Sequence, residues 1–150
     1  IWRKLIYLPS NRTTSSYIGK IRNIVNTKYI DKPVSLVKHL YKSKIVICSY
    51  PETSFYESIL TGPTILLYKI NYDSINQKFI KVFKDLEKNK IIFSTPSEAS
   101  LHINQIWDNV DEWWYSKNVK ESINDFTKKT CVKSDNSINI WLNFLKDAAM

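Results

Sequence analysis

Strand-like and helix-like segments alternate along this sequence of 150 residues, which predicts an α/β fold with a Rossmann-like, doubly wound parallel sheet and flanking helices. The clearest sign is segment 43–68, SKIVICSYPETSFYESILTGPTILLY, which has the pattern of a buried strand, a polar turn, a short helix and a second buried strand. That order is a βαβ unit, in which the two strands run parallel. A second sign is a helical stripe of apolar residues over 75–86, followed by another short strand and another helix. A helical C-terminal extension is expected beyond the sheet.

The first half of the chain is predicted to hold three strands joined by helices. Runs of β-forming residues bounded by turn signals predict strands at residues 4–8, 45–48 and 64–68. Helices are predicted at residues 16–25, from Pro33 towards the strand at 45–48, and from Ser54 to Gly62. Gly62 is expected to end the last of these helices because glycine is common just past a helix C-terminus.

The second half is predicted to be mainly helical. Asp73 or Ser74 is expected to cap a helix with a core-facing stripe. This stripe consists of Ile75, Phe79, Val82, Phe83 and Leu86. After a short strand at 91–93, Thr95-Pro96-Ser97-Glu98 has the pattern of a capping box with proline at the first helical position. The helix that begins there is expected to end at Trp113-Trp114. The remaining predictions are a helix at 119–126, a linker at 133–137 and an amphipathic helix at 138–145.

The polar turn at residues 49–54 is the predicted functional site. The turn after a strand of a parallel sheet lies at the carboxyl edge, where α/β folds bind ligands. Tyr50-Pro51 keeps the chain out of helical conformation and Thr53 or Ser54 can cap the next helix, so backbone N–H groups and hydroxyls would face one spot suited to an anion. Glu57, one turn into that helix, could accept hydrogen bonds from ribose hydroxyls. The alternative is a capped helix with a solvated Glu57.

Two motifs resemble the C-terminal part of a family of transferases for bacterial surface carbohydrates. They are S-Y-x-x-T-S-F-Y-E-S-x-L-T-G-P-T-I-L and, about thirty residues later, T-P-S-E-A-S-x-H-I-N-x-I-W-D-x-V-D-x-W-W. More broadly, the chain is similar over residues 4–145 to the donor-binding half of GT-B glycosyltransferases, including the glycerophosphotransferases that build wall polymers. It departs from them at Gly62-Pro63, where relatives usually have a longer helix end before the proline.

The resemblance implies roles for individual residues. In the relatives the Ser/Thr turn contacts donor phosphate and the helical glutamate contacts ribose, which carries over to Ser49, Thr53, Ser54 and Glu57. Arg12 follows the first strand, as an arginine does in the wall-polymer transferases, and could clamp a phosphate with two hydrogen bonds. A solvated Arg12 is the alternative. His102 matches the H-I-N of the family pattern, which implies a supporting position behind the donor-contacting residues.

Aromatic residues surround the predicted pocket in sequence, and one of them could stack on a nucleotide base. They are Tyr50, Phe55, Tyr68 and Tyr72. Trp107, Trp113 and Trp114 recur at helical spacing instead, so they are expected to pack in the core, with Trp107 substantially buried. The alternative for these tryptophans is a sugar platform or a membrane belt.

Length and composition predict a single domain over residues 1–150. The chain is 43% hydrophobic and 13% aromatic, enough to bury one core of ordinary size. The sequence begins at Ile1 rather than methionine, and the resemblance implies an N-terminal acceptor domain of similar size. The chain is therefore interpreted as a donor-binding half, inactive by itself and lacking that acceptor domain.

Charge and cysteine content indicate partners and compartment. The formal charge of +8 comes from scattered Lys and Arg and favours anionic ligands or an anionic membrane surface. Nucleic acid is not the expected partner, because no zinc-finger spacing or recognition-helix pattern occurs. Two isolated cysteines, with Cys48 in an apolar run, fit a reducing compartment. No apolar run approaches the roughly 20 residues that span a bilayer. The expected location is the cytoplasm of a bacterium, with peripheral contact at the inner membrane.

The residue sets that several kinds of binding and catalytic site require are not found in this sequence. Only Gly19 and Gly62 occur, which excludes a GxGxxG fingerprint and a P-loop. Asp108, Asp111 and Glu112 have no histidine nearby and are interpreted as a solvated helix face, so neither a metal nor a cofactor is expected. No Ser–His–Asp or Cys–His set can be assembled, which leaves the catalytic residues unknown.

These observations favour a domain that binds a nucleotide-sugar donor for surface polysaccharide synthesis. The enzyme would be a metal-independent GT-B-type glycosyltransferase, with the donor as substrate. One alternative is the corresponding half of a glycerophosphotransferase with a CDP-activated donor. The other is a non-catalytic α/β module that binds a partner or an anionic surface, because no general base is assignable.

Overall fold

The computed structural model describes residues 5–7, 27–29, 36–131 and 136–148. The chain divides into two compact units, residues 1–39 and residues 40–150. In the first unit, β1 (Leu5–Tyr7) pairs in parallel with β2 (Thr27–Tyr29). β1 confirms the strand predicted at 4–8, whereas β2 was not predicted, because three residues are too few to show an alternating pattern. The helix predicted at 16–25 lies outside the described residues.

The second unit contains a three-stranded parallel sheet. Its strands, in spatial order, are β3 (Val46–Cys48), β4 (Thr64–Leu67) and β5 (Ile92–Phe93). Each confirms a predicted strand to within one residue at either end. In the central strand, Ile65 and Leu66 are both fully buried, as in a strand covered on both faces. The predicted α/β class is thus present as a small parallel sheet with several helices.

Seven helices and two single 3-10 turns accompany these strands in the described ranges. The α-helices are α1 (Leu36–Leu40), α2 (Thr53–Thr61), α3 (Gln77–Lys88), α4 (Pro96–Ile106), α5 (Val110–Trp114), α6 (Lys117–Thr130) and α7 (Ser137–Ala148). The 3-10 turns are Tyr72–Ser74 and Trp107–Asn109. No helix in the described ranges is both long and apolar enough to cross a bilayer. The predicted linker at 133–137 lies mostly outside the described residues, and the single-domain assignment stays a prediction.

Two boundaries differ from the sequence prediction. The cap of α3 is Asn76, whose side-chain oxygen accepts from the Lys78 N–H at 3.2 Å, so the prediction of Asp73 or Ser74 was wrong. Those two residues lie in a 3-10 turn that Asn71 caps. The predicted continuous helix to Trp113-Trp114 is also wrong, because it breaks at a 3-10 turn where Asn109 leaves helical geometry with φ −129° and ψ 43°.

Helices cover both faces of the sheet. Leu66 points to the larger core, whereas Ile65 points to a smaller core beneath α4, as alternation along a strand requires. Phe126 of α6 is fully buried in the larger core, with its ring centroid 5.3 Å from Phe83 and 5.9 Å from Phe55. The predicted stripe of α3 is confirmed from Phe79 onward, whereas Ile75 lies before the first residue of the helix. Its buried members are Val82, Phe83 and Leu86, and Ile75 and Phe79 pack against them partly exposed.

The tryptophans pack differently from the prediction. Trp114 on α5 is the buried one, with 5% of its surface exposed. Trp107 is partly buried and has the Lys44 ammonium 4.9 Å from its ring centroid, so its burial is less complete than that of Trp114. Trp113 packs at 5.3 Å from Trp114, and its indole N–H donates to the Asn89 carbonyl at 3.3 Å. The fold-stabilising indole is therefore Trp114.

Candidate functional site

The candidate site is the turn of residues 49–54, called the edge turn, which follows β3 at the carboxyl edge of the sheet. Parallel strands end at the same edge, so Tyr68 after β4 and Ser94 after β5 share this edge with the turn. Ser49, Tyr50 and Thr53 are exposed there. The structure thus places a polar, accessible surface where the sequence predicted one.

The N-terminus of α2 has no side-chain cap. Glu52 is the N-cap residue, its φ of −106° and ψ of −175° are extended, and no side chain accepts a capping hydrogen bond. The prediction that Thr53 or Ser54 caps this helix was wrong, because both lie inside its first turn. The Phe55 N–H donates to the Glu52 carbonyl at 2.8 Å, so the first-turn N–H groups left for a ligand are those of Thr53 and Ser54, at the positive end of the helix dipole. This arrangement suits an anion.

Ser54 differs from Ser49 and Thr53 because it is half-buried and its hydroxyl interacts with the Cys48 thiol. Burial raises the pKa of the Cys48 thiol, and hydrogen bonding by the hydroxyls of Ser58 and Ser54 lowers it in part. The Cys48 thiol lies 3.9 Å from the Ser58 hydroxyl, which itself donates to the Ser54 carbonyl. Cys48 is 7% exposed and is the core residue that the sequence predicted. Ser49 and Thr53 are the hydroxyls that remain exposed at the turn.

Two tyrosines form an aromatic wall beside the edge turn. The rings of Tyr50 and Tyr68 meet edge to face, with centroids 5.0 Å apart. The hydrogen bond with Tyr50 raises the pKa of Tyr68, and the proximity of that phenol adds to the shift. Tyr50 is 52% exposed, so its face can be reached by a ligand. Phe55 is fully buried and cannot stack on a base, so its inclusion in the pocket was wrong.

Tyr72 is the third tyrosine that the sequence places near the pocket. It lies in the first 3-10 turn, partly buried against the larger core, with the Lys84 ammonium 5.4 Å from its ring centroid. Burial raises the pKa of Tyr72 strongly, and the neighbouring Glu87 carboxylate raises it further. Tyr50 is therefore the most exposed of the three tyrosines, and Tyr68 is its ring partner.

Glu57 lies on the exposed side of α2. Phe55, Ser58 and Ile59 form the buried side of this helix, while Thr53 and Glu57 are exposed one turn apart. Side chains four residues apart on a helix are neighbours, with about 5–6 Å between their Cβ atoms. A ligand at the helix start could therefore contact both side chains.

The other two predicted site residues are Arg12 and His102. Arg12 lies outside the described residues. His102 lies on α4, with its ring 5.4 Å from that of Phe93 in β5. Since β4 separates β3 from β5, the two edge strands are about 10 Å apart at the usual strand spacing. The supporting role of His102 stays a prediction.

Two clefts were not predicted. One has a volume of about 490 Å³ at the amino edge of the sheet, opposite the edge turn, where Ser43, Lys44 and Pro63 meet residues 108–112, which are exposed except for Val110. In the described part of the chain, no group of three or more His, Cys, Asp or Glu side chains could hold a metal ion.

The other cleft, of about 410 Å³, lies beside β5 and includes His102. The available signal was the spacing of Glu98, Leu101, His102 and Gln105, which puts them on one face of α4.

Parallel α/β folds as a class bind ligands at the carboxyl edge of the sheet. This chain has an uncapped helix and a polar turn at that edge. Comparison with family models then identifies the family, because the model described as the LIC12162 family transferase matches residues 8–145. The chain belongs to this transferase family. Comparison with curated proteins and with solved structures gave no match.

Proposed function

We propose that this chain is the donor-binding part of a GT-B-type glycosyltransferase that uses a nucleotide-activated sugar to build bacterial surface polysaccharide. Family membership supports transfer chemistry. The observation that carries the choice of donor is the uncapped start of α2 at the carboxyl edge of β3, with exposed Ser49 and Thr53 beside it. We also propose that the small parallel sheet is part of a larger, doubly wound sheet.

Each residue of the site has a proposed part in holding the donor. The diphosphate binds at the first turn of α2 through backbone N–H groups and the hydroxyls of Ser49 and Thr53. The half-buried Ser54 holds the conformation of the turn. Glu57 accepts hydrogen bonds from the ribose. Tyr50, supported by Tyr68, stacks on the base. Arg12 adds a guanidinium to the phosphates, and His102 supports the sheet edge from β5.

In the transfer step, the main contribution of this donor-binding part is to stabilise charge. The bond between the sugar carbon and the phosphate oxygen breaks, and the acceptor oxygen bonds to the same carbon. The nucleoside diphosphate leaves with the electron pair, and the acceptor proton passes to a base on the proposed N-terminal acceptor domain. The helix start, the turn hydroxyls and Arg12 stabilise the departing phosphate, which we propose occurs without a metal ion or cofactor.

Two other functions share this geometry. The similarity of the Arg12 segment to wall-polymer transferases favours a CDP-activated glycerol phosphate donor as the second candidate. The third is a non-catalytic module that binds a partner or an anionic surface, since the described residues offer no evident general base. We further propose a cytoplasmic location with peripheral membrane contact through α7, because the apolar side chains of this helix are exposed on a chain of charge +8.

Calorimetric titration with UDP, GDP, CMP and CDP tests the proposal. At least one should bind with a dissociation constant in the millimolar range or below, and Thr53→Val should weaken it because a phosphate-contacting hydroxyl is lost. Thr127→Val on α6 is the matched control, since it changes the same groups away from the sheet edge. A CMP or CDP preference favours the second candidate. Absence of heat with all four nucleotides, at concentrations that detect millimolar binding, would contradict nucleotide binding by this chain.

A further inference from the structure

A second cleft lies at the outer edge of β5, two strand spacings from β3. The β5 cleft, of about 410 Å³, is formed by the end of α3, by β5 and by one face of α4. Its polar lining consists of Glu87, Lys90, Ser94, Glu98, His102 and Gln105. Ile92 and Phe93 are its buried apolar lining, and Leu101 is 61% exposed at its rim. The volume is within the range of small-molecule sites.

His102 has an unused hydrogen-bonding atom in this lining. Its ring packs against Phe93 at 5.4 Å and against Trp113 at 5.0 Å between centroids. The Nε2 atom is buried and has no hydrogen-bond partner within the described structure. Burial lowers the pKa of His102, and the nearby Lys90 ammonium lowers it further, so the imidazole is neutral at neutral pH. A buried polar atom without a partner costs free energy, so His102 is an unfavourable feature in the wall of the cleft.

Lys90 is strained at the same cleft. Its φ of 62° is in the left-handed region, where glycine is the usual residue. The turn around it is a Schellman motif, since the Lys90 N–H donates to the Glu87 carbonyl and the Ile91 N–H to the Leu86 carbonyl. A lysine at this position costs stability that glycine would not, and such strain tends to occur at functional sites. The cleft thus has two unfavourable features, one at Lys90 and one at His102.

The mixture of polar groups indicates the chemistry of the ligand. Lys90 and the Gln105 amide donate, and neutral His102 and Ser94 can donate or accept. The carboxylates of Glu87 and Glu98 accept only, and against one lysine they leave a formal charge of −1 on the lining. A phosphate is negatively charged at neutral pH and would be repelled by both carboxylates. Hydroxyl groups both donate and accept, so a neutral ligand rich in hydroxyls uses the whole lining.

We propose that the β5 cleft is a saccharide-binding site that holds one neutral sugar ring beside the His102 imidazole, with Gln105 and the two glutamates bonding its hydroxyls. The C–H face of the ring packs on Leu101, the exposed apolar residue of the rim. The proposal does not rest on the donor site, because the β5 cleft and the edge turn share no lining residue. In a saccharide-building enzyme such a site would hold sugar that is not attached to the nucleotide.

Imidazole NMR of the ¹⁵N-labelled chain tests the site directly, because the chain has only two histidines. Titration with glucose, galactose and N-acetylglucosamine should give a saturable shift of the His102 signals with at least one sugar, at half-saturation of about 1–10 mM. The His39 signals should stay in place. Inorganic phosphate and glycerol at matched concentrations should produce no saturable shift. No saturable shift with any sugar, or saturation by phosphate alone, would overturn the proposal.

Variants separate binding from folding. Gln105→Ala should raise the half-saturating sugar concentration at least about threefold, whereas Asn104→Ala, its exposed neighbour outside the lining, should not change it. Lys90→Gly should raise the melting temperature by relieving strain and still weaken sugar binding. Unchanged sugar binding in both Gln105→Ala and Lys90→Gly would show that the sugar binds elsewhere. Nucleotide binding by the same variants should match that of the parent. A failure of the sugar site can therefore be distinguished from a failure of the proposed donor site.

Discussion

Glu57 lies one helical turn after Thr53 on the exposed side of α2, so its carboxylate is close to any ligand at the helix start. Glu57→Gln should weaken nucleoside diphosphate binding by about 1.5–3 kcal/mol, because hydrogen bonds from ribose to a charged acceptor are stronger than those to a neutral one. Inorganic phosphate has no ribose, so its binding should hold steady or tighten when the negative charge is removed.

Calorimetric titration of both ligands against both proteins measures this pair of effects. Glu121→Gln on α6 is the matched control, since Glu121 is also exposed on a helix. If the Glu57 variant binds both ligands as the parent does, Glu57 is a solvated helix residue and the ribose contact is wrong.

Trp114 is the second residue whose environment leads to a prediction. Because it is 5% exposed in the larger core, Trp114→Ala should lower the free energy of unfolding by about 3–5 kcal/mol. Trp107 is half-buried, so Trp107→Ala should cost clearly less. Urea denaturation of the two variants provides the comparison, and a larger loss for Trp107 would contradict the packing described above.

At the scale of elements, the start of α4 shows how local chemistry fixes a boundary. The Thr95 hydroxyl accepts from the Glu98 N–H at 3.3 Å and donates to the Glu98 carboxylate at 2.9 Å, while Pro96 occupies the first helical position. Thr95→Ala should therefore destabilise the fold by about 1 kcal/mol. Ser97→Ala in the same turn is the control. Equal unfolding midpoints for parent and Thr95 variant would show that the cap is not stabilising.

The same elements show what the sequence could and could not predict. The three strands of the second unit were predictable because their apolar runs are bounded by turn signals, and α4 because its capping box is specific. The cap of α3 was not, since Asn71, Asp73, Ser74 and Asn76 are all good capping residues and only the backbone path selects one. β2 is too short to carry a pattern.

The candidate site was predictable in position and less so in detail. The βαβ order placed the turn at the carboxyl edge, and exposure of Ser49, Thr53 and Glu57 agrees with that placement. The capping error arose because Glu52 takes the N-cap position through its backbone alone. The β5 cleft depends on residues from three elements that meet only in the folded chain, so no local pattern signals it.

At the scale of the whole molecule, the net charge and α7 bear on location. Ile138, Trp141, Leu142 and Leu145 recur at helical spacing on α7, and between 47% and 74% of each is exposed. An amphipathic helix on a chain of charge +8 should bind anionic lipid. Sedimentation with phosphatidylglycerol vesicles should therefore carry the chain down, and pure phosphatidylcholine vesicles should carry less.

Replacing Trp141 and Leu145 by serine should abolish this sedimentation without lowering the melting temperature, because both side chains are exposed. Tyr115→Ser, which removes an exposed aromatic residue from a turn, is the control. If the double variant sediments like the parent, scattered basic residues rather than α7 make the contact.

The central claim is that a nucleotide binds at the start of α2, and backbone amide NMR during nucleotide titration tests it most directly. Addition of the tightest-binding nucleoside diphosphate should shift the amide signals of Thr53 and Ser54 most, because their N–H groups lie in the first turn of the helix that receives the phosphates, whereas the Phe55 N–H already donates to the Glu52 carbonyl at 2.8 Å. Signals of Ser49 and Glu57 should follow at the same saturation. Saturable shifts confined to other parts of the chain, with residues 49–57 unmoved, would contradict the claim.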